Sequence, residues 1–416
     1  MTNSSPTSLI DTRAAWGAAV VAVVCLGLAF GAPLITTVSL KAIAADMQGA
    51  RTVPALGVSL AWLGAAVGGL VMGHLANRFG VRWTVMAGAV SIAIGLCIST
   101  LGRPWQFWLG HGLFIGIIGL GGLNAPLYVY VSHWFVKRRG SALALLSSGN
   151  YIAGICWPVV FEKMTDAWGW RATMLGYAAL EILLVLVLAR FFLPPAPVTE
   201  PGAAGGNAAG GSPLLAGRNR RLVFIVTAAA GFLCCIPMAM PQGHLVALCT
   251  DRGVAPTVGA AMLSVLLAVA FVSRQAWGLA ADRIGGIRTA LISSLLQALA
   301  VSGYLFVHEQ FGLFTVSIAF GLGFSALIPA YVLAVRELFP GNQAYWRVPV
   351  MLLMTGSGMA TGGWLAGFLY DHSGSYDLAF EAGVASNVAN LLLLGFLSWY
   401  LYGSRRPRLE PVRKAA

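Results

Sequence analysis

Charge is scarce in this sequence. Of 416 residues only 10% are Asp, Glu, Lys or Arg, where a soluble domain carries about 25%. The 26 basic and 14 acidic residues cannot solvate the surface of a soluble protein this long, which excludes a large soluble catalytic domain. Cysteine is scarce as well: Cys25, Cys97, Cys156, Cys234, Cys235 and Cys249 nearly all lie inside apolar runs. No pair among them has zinc or redox spacing, so they read as buried free thiols. The sequence also lacks paired acids, a metal-ligand cluster or a nucleophile dyad near one face, so neither an enzyme nor a metal or other cofactor is expected. A receptor would need an output domain, and the only long loop is rich in glycine. No obligate protein partner is indicated.

What is present is apolar surface. Apolar residues make up 58% of the chain and the mean hydropathy is +0.79. A helix needs about 20 apolar residues to cross a bilayer. Runs of that length fall at about 14–40, 52–75, 83–101, 106–131, 141–164 and 170–192, then at 222–248, 255–280, 287–307, 311–335, 345–369 and 379–402. This predicts an all-α integral membrane protein of twelve transmembrane helices in two six-helix bundles. The bundles span 14–192 and 222–402, with a flexible cytoplasmic linker at 193–221, an N-terminal tail at 1–13 and a basic tail at 403–416. The first run is too long for a signal-peptide core, so it reads as the first span.

Orientation follows from Lys and Arg, which favour the cytoplasmic side. Nineteen lie in the termini and the loops on their side, and six in the loops opposite: Lys41, Arg51, Arg103, Lys163, Arg171 and Arg252. Both termini are therefore expected in the cytoplasm, in the cell (inner or plasma) membrane. The same bias accounts for a pI near 9.8, so the bilayer and not nucleic acid is the expected partner. Arg274 alone belongs to neither side, because it lies inside the eighth run.

The halves repeat. GHLANRFGVR from Gly73 to Arg82 matches GLAADRIGGIR from Gly278 to Arg288, placing Gly73, Ala76, Arg78 and Gly80 over Gly278, Ala281, Arg283 and Gly285. Asp166 and Asp371 fall in the same register, an offset of 205. Parallel repeats place a substrate site at their interface near the bilayer midplane.

These loops resemble the signature loops of the major facilitator superfamily, with Asn77 in place of the usual aspartate in the first copy and Asp282 keeping it in the second. The resemblance implies that Gly73, Asn77, Arg78, Asp282, Arg283 and Gly285 help latch one access state, the first copy by hydrogen bonds instead of an ion pair. HWFVKRRGSALALLSSGNYIAG from His133, RQAWGLAADRIG from Arg274 and GGWLAGFLYDHSGSYDLAF from Gly362 are together similar to the monocarboxylate transporter family and its bacterial relatives, including oxalate/formate exchangers. The implied function is secondary transport of a small organic monocarboxylate, with a proton as the co-substrate that the resemblance suggests. Exchange of organic anions and efflux of other small drug-like compounds are the rivals.

Arg274 carries the chemistry. It lies eight residues before Asp282, about 12 Å along a helix, so its guanidinium falls near the bilayer midplane, where insertion costs on the order of 3 kcal/mol. A planar fork that stays charged matches a carboxylate. A pair with a protein acid is the competing role, and Glu181 is the one acid placed to make it. The resemblance also brings departures. Thr355 stands where similar oxalate exchangers have a lysine, Ala270 where animal monocarboxylate transporters have an aspartate, and Leu34 follows Pro33 where those have a lysine. A single cation then matches a single carboxylate, and a dianion is disfavoured.

Supporting candidates near mid-depth are Asn124, Tyr128, Gln242, His244, Ser273 and Tyr331; the resemblance puts spans 1, 4, 7 and 10 around the cavity and so favours Asn124, Tyr128 and Tyr331. For the tyrosines the alternative is helix packing, and for His244 a mouth residue competes with a packing histidine. Glu181 and His111 are the candidates for proton coupling, with a packed, protonated acid the preferred reading of Glu181.

Overall fold

In hydrocarbon a backbone N–H has no water to bond, so each apolar run closes its hydrogen bonds internally as a helix. The computed structural model describes residues 10–47, 49–135, 139–195, 213–215 and 217–403, and among these there is no strand. The N-terminal half holds α1 (Arg13–Val38), α2 (Thr52–Phe79), α3 (Val81–Ser99) and α4 (Pro104–Trp134). A short helix Arg139–Ser147 then leads into the long helix Gly149–Val187, which turns at Gly169 and so forms α5 (149–168) and α6 (170–187). The second half holds α7 (Arg220–Asp251), α8 (Pro256–Ile284), α9 (Gly286–Phe306), α10 (Gln310–Leu338), α11 (Gly341–Ser373) and α12 (Asp377–Tyr402).

Among the described residues ten stretches are long and apolar enough to cross a membrane. One of them, Leu145–Phe192, counts twice because of its turn, and α11, whose middle is Gly, Ser and Thr, completes the twelve. The helices overrun the apolar runs by a few residues, and the short helix Leu40–Asp46 follows α1 where only a loop was expected. In the linker, Leu193 and Leu215 are buried against the first and second halves, while 196–212 lie outside the described residues, as do 1–9 and 404–416 of the tails.

The repeat is visible in the backbone. Gly80 and Gly285 end α2 and α8 with φ 91° and 81°, and their N–H groups bond Ala76 O and Ala281 O at 2.9 Å each. Gly169 and Gly374, again 205 apart, turn α5 into α6 and α11 into α12 with φ 79° and 74°. Only glycine takes that region without a steric cost, which is why the register survives in glycines.

Helix α4 is π-helical over Gly110–Leu120. Its glycines press on α2 and α3: a Cβ on Gly116 would lie 2.9 Å from Ala61 O, and one on Gly64 would lie 2.5 Å from Gly112 O. Small residues let helices approach in this way where lipid supplies no hydrophobic drive. Between the halves, α2 packs on α11 and α5 on α8.

Candidate functional site

The two halves meet at one end of the bundle and part at the other. At the end opposite the termini, Arg51 lies just before α2 and is only 8% exposed. Its guanidinium reaches across to Asp251 at the end of α7, with Nη1–Oδ2 2.5 Å and Nη2–Oδ1 2.8 Å, and donates to Tyr376 Oη at 2.9 Å. The ring of Tyr370 lies 3.6 Å from its Cζ. Burial works against the Arg51 charge, but the hydrogen bonds to Asp251 and Tyr376 and the Asp251 charge outweigh it, so its pKa rises above the ordinary arginine value. Lys41 adds a third bond to Asp251 at 2.9 Å. Asp371, at the end of α11, accepts from the backbone N–H groups of Arg51 and Thr52 at 2.8 Å each and from the Thr52 hydroxyl. A carboxylate of one half thereby caps a helix of the other, where the helix dipole favours it.

The repeat explains why this latch is one-sided. Asp251 corresponds to Asp46, 205 residues earlier. Asp46 is satisfied inside its own half by Trp170 Nε1 at 2.7 Å and Arg171 Nη1 at 2.5 Å, and these two bonds hold its carboxyl below the usual range. The residue corresponding to Arg171 is Tyr376, which carries no charge, so Asp251 is left to pair across the gap.

Among the described residues Arg274 makes the last hydrogen bonds between the halves on the way to the termini. Half-buried on α8, it donates through Nε to Ser325 O at 3.2 Å and through Nη1 to Ser147 O and Oγ at 3.3 and 3.4 Å. Its Cζ sits 4.6 Å from the centroid of the Tyr151 ring, and Tyr128 brings its hydroxyl to Ser147 beside it. Among the described residues no carboxylate lies within ion-pair distance. Beyond it, Leu70 and Val71 of α2 and Leu279 of α8 are exposed, and Gly73 and Gly278 face open space. No hydrogen bond or ion pair joins the halves there among the described residues.

Between Arg274 and the latch lies a cavity of about 70 Å³, walled by α1, α2, α5, α7, α8 and α11. Phe30, Leu34, Trp62, Leu267 and Met359 give it an apolar lining, and Ser59, Asn150, Gln242 and His244 supply its polar edge. His244 joins cavity to latch: Nε2 bonds Gly363 O at 2.9 Å and Nδ1 meets Tyr376 Oη at 3.0 Å.

The sequence candidates therefore separate. Arg274 and Tyr128 come together, and Gln242 and His244 line the cavity, though Gln242 Nε2 also bonds Met238 O at 2.9 Å. Asn124 is half-buried in α4 with no hydrogen bond to another described residue. Ser273 and Tyr331 turn away from the gap, a correction to their expected place. Ser273 ties α8 to α10 through Ser325 Oγ at 2.6 Å, and Tyr331 is buried on Asn390 Oδ1 at 2.6 Å. Helical spacing explains Ser273: its neighbour Arg274 takes the cavity face, about 100° round the helix.

His111 is likewise committed to packing, bonded to Thr36 Oγ1 at 2.8 Å and Ser99 Oγ at 3.0 Å and stacked on Phe107. Glu181 is buried in α6 near Cys25 and Tyr177, with neither oxygen bonded. It does not pair with Arg274. Of the signature loops, Arg78 and Arg283 are exposed, Gly73 is open to space, and Gly285 precedes Gly286, whose N–H bonds Glu337 Oε2 at 2.9 Å. The side chains of Asn77 and Asp282 lie outside the described residues.

Sequence reasoning passed over Tyr151, Ser147, Ser325 and the latch. For the latch a signal existed, since Asp46 and Asp251 recur at the same offset as Asp166 and Asp371.

Comparison with known proteins agrees with this architecture. A family profile described as Major Facilitator Superfamily matches residues 17–245. The chain is 26% identical to monocarboxylate transporter 13 of Bos taurus over 335 residues, 79% of this chain and 75% of that one. It is 24% identical to the MFS-type transporter pynF of Aspergillus niger over 332 residues, 76% and 74% of the two chains. Among solved structures it resembles a D-xylose-proton symporter, with a TM-score of 0.72 over 91% of this chain and 97% of that one at 15% identity.

Proposed function

We propose that this chain, which belongs to the major facilitator superfamily, carries a small organic monocarboxylate by alternating access, with Arg274 holding the carboxylate. The chain is a transporter and not an enzyme. One observation carries the choice of substrate: a mid-membrane guanidinium that faces the gap between the halves, rests on an aromatic face and has no carboxylate partner among the described residues. A buried charge is costly unless something pairs with it, and an entering carboxylate is the chemistry that fits. The similarity to monocarboxylate transporter 13 supports the same reading.

The Lys/Arg bias assigns the open end to the cytoplasm, so this arrangement reads as the inward-facing state. A thiol-reactive probe that cannot cross the membrane should label a cysteine placed in loop 41–51 of intact cells and spare one in linker 193–221. The reverse pattern would invert the topology.

Among the described residues no acid pairs with Arg274, and Ala270, one turn away on α8, is fully buried. A proton then travels on the substrate's own carboxyl, or the carrier exchanges one anion for another. In liposomes, uptake of a labelled monocarboxylate should accelerate several-fold when the outside is made acidic. Uptake that ignores the gradient and requires internal anion would assign exchange.

A further inference from the structure

The cavity above Arg274 holds two polar atoms that are buried and have no hydrogen-bond partner among the described residues, Ser59 Oγ and Asn150 Oδ1. Ser59 is only 4% exposed. An unpaired buried polar group costs free energy comparable to a lost hydrogen bond, and here two such atoms edge one cavity whose other walls are Phe30, Leu34, Trp62 and Met359. Asn150 is a neighbour of Tyr151, the ring beneath the guanidinium, and stands one turn from Ser147, whose carbonyl accepts from that guanidinium. Leu267, on the cavity wall, is seven residues before Arg274, about 10 Å along α8. The cavity wall thus comes within about 10 Å of the anion group along α8, with Asn150 on the cavity edge next to Tyr151.

We propose that the substrate is an amphipathic monocarboxylate. Its carboxylate lies at Arg274, its aromatic or branched tail fills the cavity, and a hydroxyl or other donor on that tail meets the polar edge at Ser59 Oγ or Asn150 Oδ1. The proposal rests on Arg274 as the anion site and adds the class of tail. The volume sets its size: a water-sized group occupies roughly 10–15 Å³ on this measure, so about 70 Å³ accepts around six heavy atoms, a phenyl ring or a branched alkyl chain. A two- or three-carbon acid bound at Arg274 leaves the apolar walls, Phe30, Leu34, Trp62 and Met359, uncovered.

The test is a calorimetric titration of the full-length protein in lipid nanodiscs, with empty nanodiscs subtracted. The probes are propionate, 3-phenylpropionate, 3-(4-hydroxyphenyl)propionate and the neutral amide of 3-phenylpropionate. Burying an aromatic side chain is worth roughly 10- to 150-fold in an equilibrium constant, so 3-phenylpropionate should bind tighter than propionate by that factor. The hydroxylated acid should bind a further several-fold tighter, and the amide should lose most of the affinity. Ser59→Ala should remove the advantage of the hydroxyl alone. Val58→Phe, which fills the cavity from its wall, should bring 3-phenylpropionate down to the affinity of propionate.

Equal binding of the short and long acids, with the amide still rejected, would overturn the tail and leave the anion site standing. Equal binding of 3-phenylpropionate and its amide would overturn the anion site and this placement with it.

Discussion

Replacing Arg274 with alanine is expected to abolish specific binding of a monocarboxylate while the protein remains folded. Among the described residues the side chain donates to the Ser147 hydroxyl and to two carbonyls, Ser147 O and Ser325 O, and lies over the Tyr151 ring; it is half-buried, so water can reach both carbonyls once it is gone. Removing a charge from mid-membrane also lowers the cost of inserting α8. Arg274→Lys separates charge from geometry. Lysine keeps the positive charge but loses the fork that matches a carboxylate and the flat stacking over Tyr151. Charge-assisted hydrogen bonds are worth roughly 1.5–3 kcal/mol, so the lysine variant should bind about 10- to 150-fold more weakly. Glu181→Gln should change affinity little, because that acid is buried in α6, is not bonded to Arg274 and is not among the residues that line the cavity. Calorimetry on the three variants, with folding checked by monodisperse elution, decides the matter. A well-folded Arg274→Ala protein that binds the acid as tightly as the parent would make Arg274 a packing residue tying α8 to α5 and α10.

The fold was legible because lipid enforces it. Twelve apolar runs separated by short polar loops leave helices as the only solution, and the offset of 205 recurs as paired left-handed glycines at Gly80 and Gly285, and at Gly169 and Gly374. Arg274 stood out for a similar reason: one cation among apolar residues has few structural uses. The finer placements depended on which side of a helix faces the gap, and a helix that is apolar all round hides that direction. Tyr331 and Tyr128 look equivalent in sequence, yet the first is buried on Asn390 and the second stands beside Ser147. His111 and His244 divide in the same way, since Thr36, Ser99 and Phe107 enclose one and the cavity receives the edge of the other. Lys41 and Arg51 counted only as loop charges, because their partner Asp251 is about two hundred residues away and pairing across the halves leaves no local pattern.

That pairing leads to the second large effect, on the balance between access states. Arg51, Lys41, Asp251 and Asp371 join the halves at the end opposite the termini, and opening that end must break every one of these bonds. Removing one partner of a buried pair costs about 3–5 kcal/mol. Asp251 keeps some contact with water, with its side chain 23% exposed, so the lower figure applies. Asp251→Asn should therefore destabilise the present arrangement by about 3 kcal/mol relative to one open at the far end, where Arg51 is hydrated whether or not Asp251 is charged. At 1.4 kcal/mol per tenfold, that moves the equilibrium by roughly two orders of magnitude. Spin labels at Asp166 on α5 and Thr257 on α8, both exposed at that end, report the change when the exposed Cys97 and Cys156 are first replaced by serine. In the parent the pulsed-EPR distance distribution should be dominated by one short distance. In Asp251→Asn a longer distance should become the major population, and substrate in the cavity should shift the ratio further through His244, which bonds both Gly363 O in the cavity wall and Tyr376 in the latch. An unchanged distribution in a folded Asp251→Asn protein would mean that α2–α11 packing alone holds this end shut, with the ion pairs contributing nothing to the choice of state.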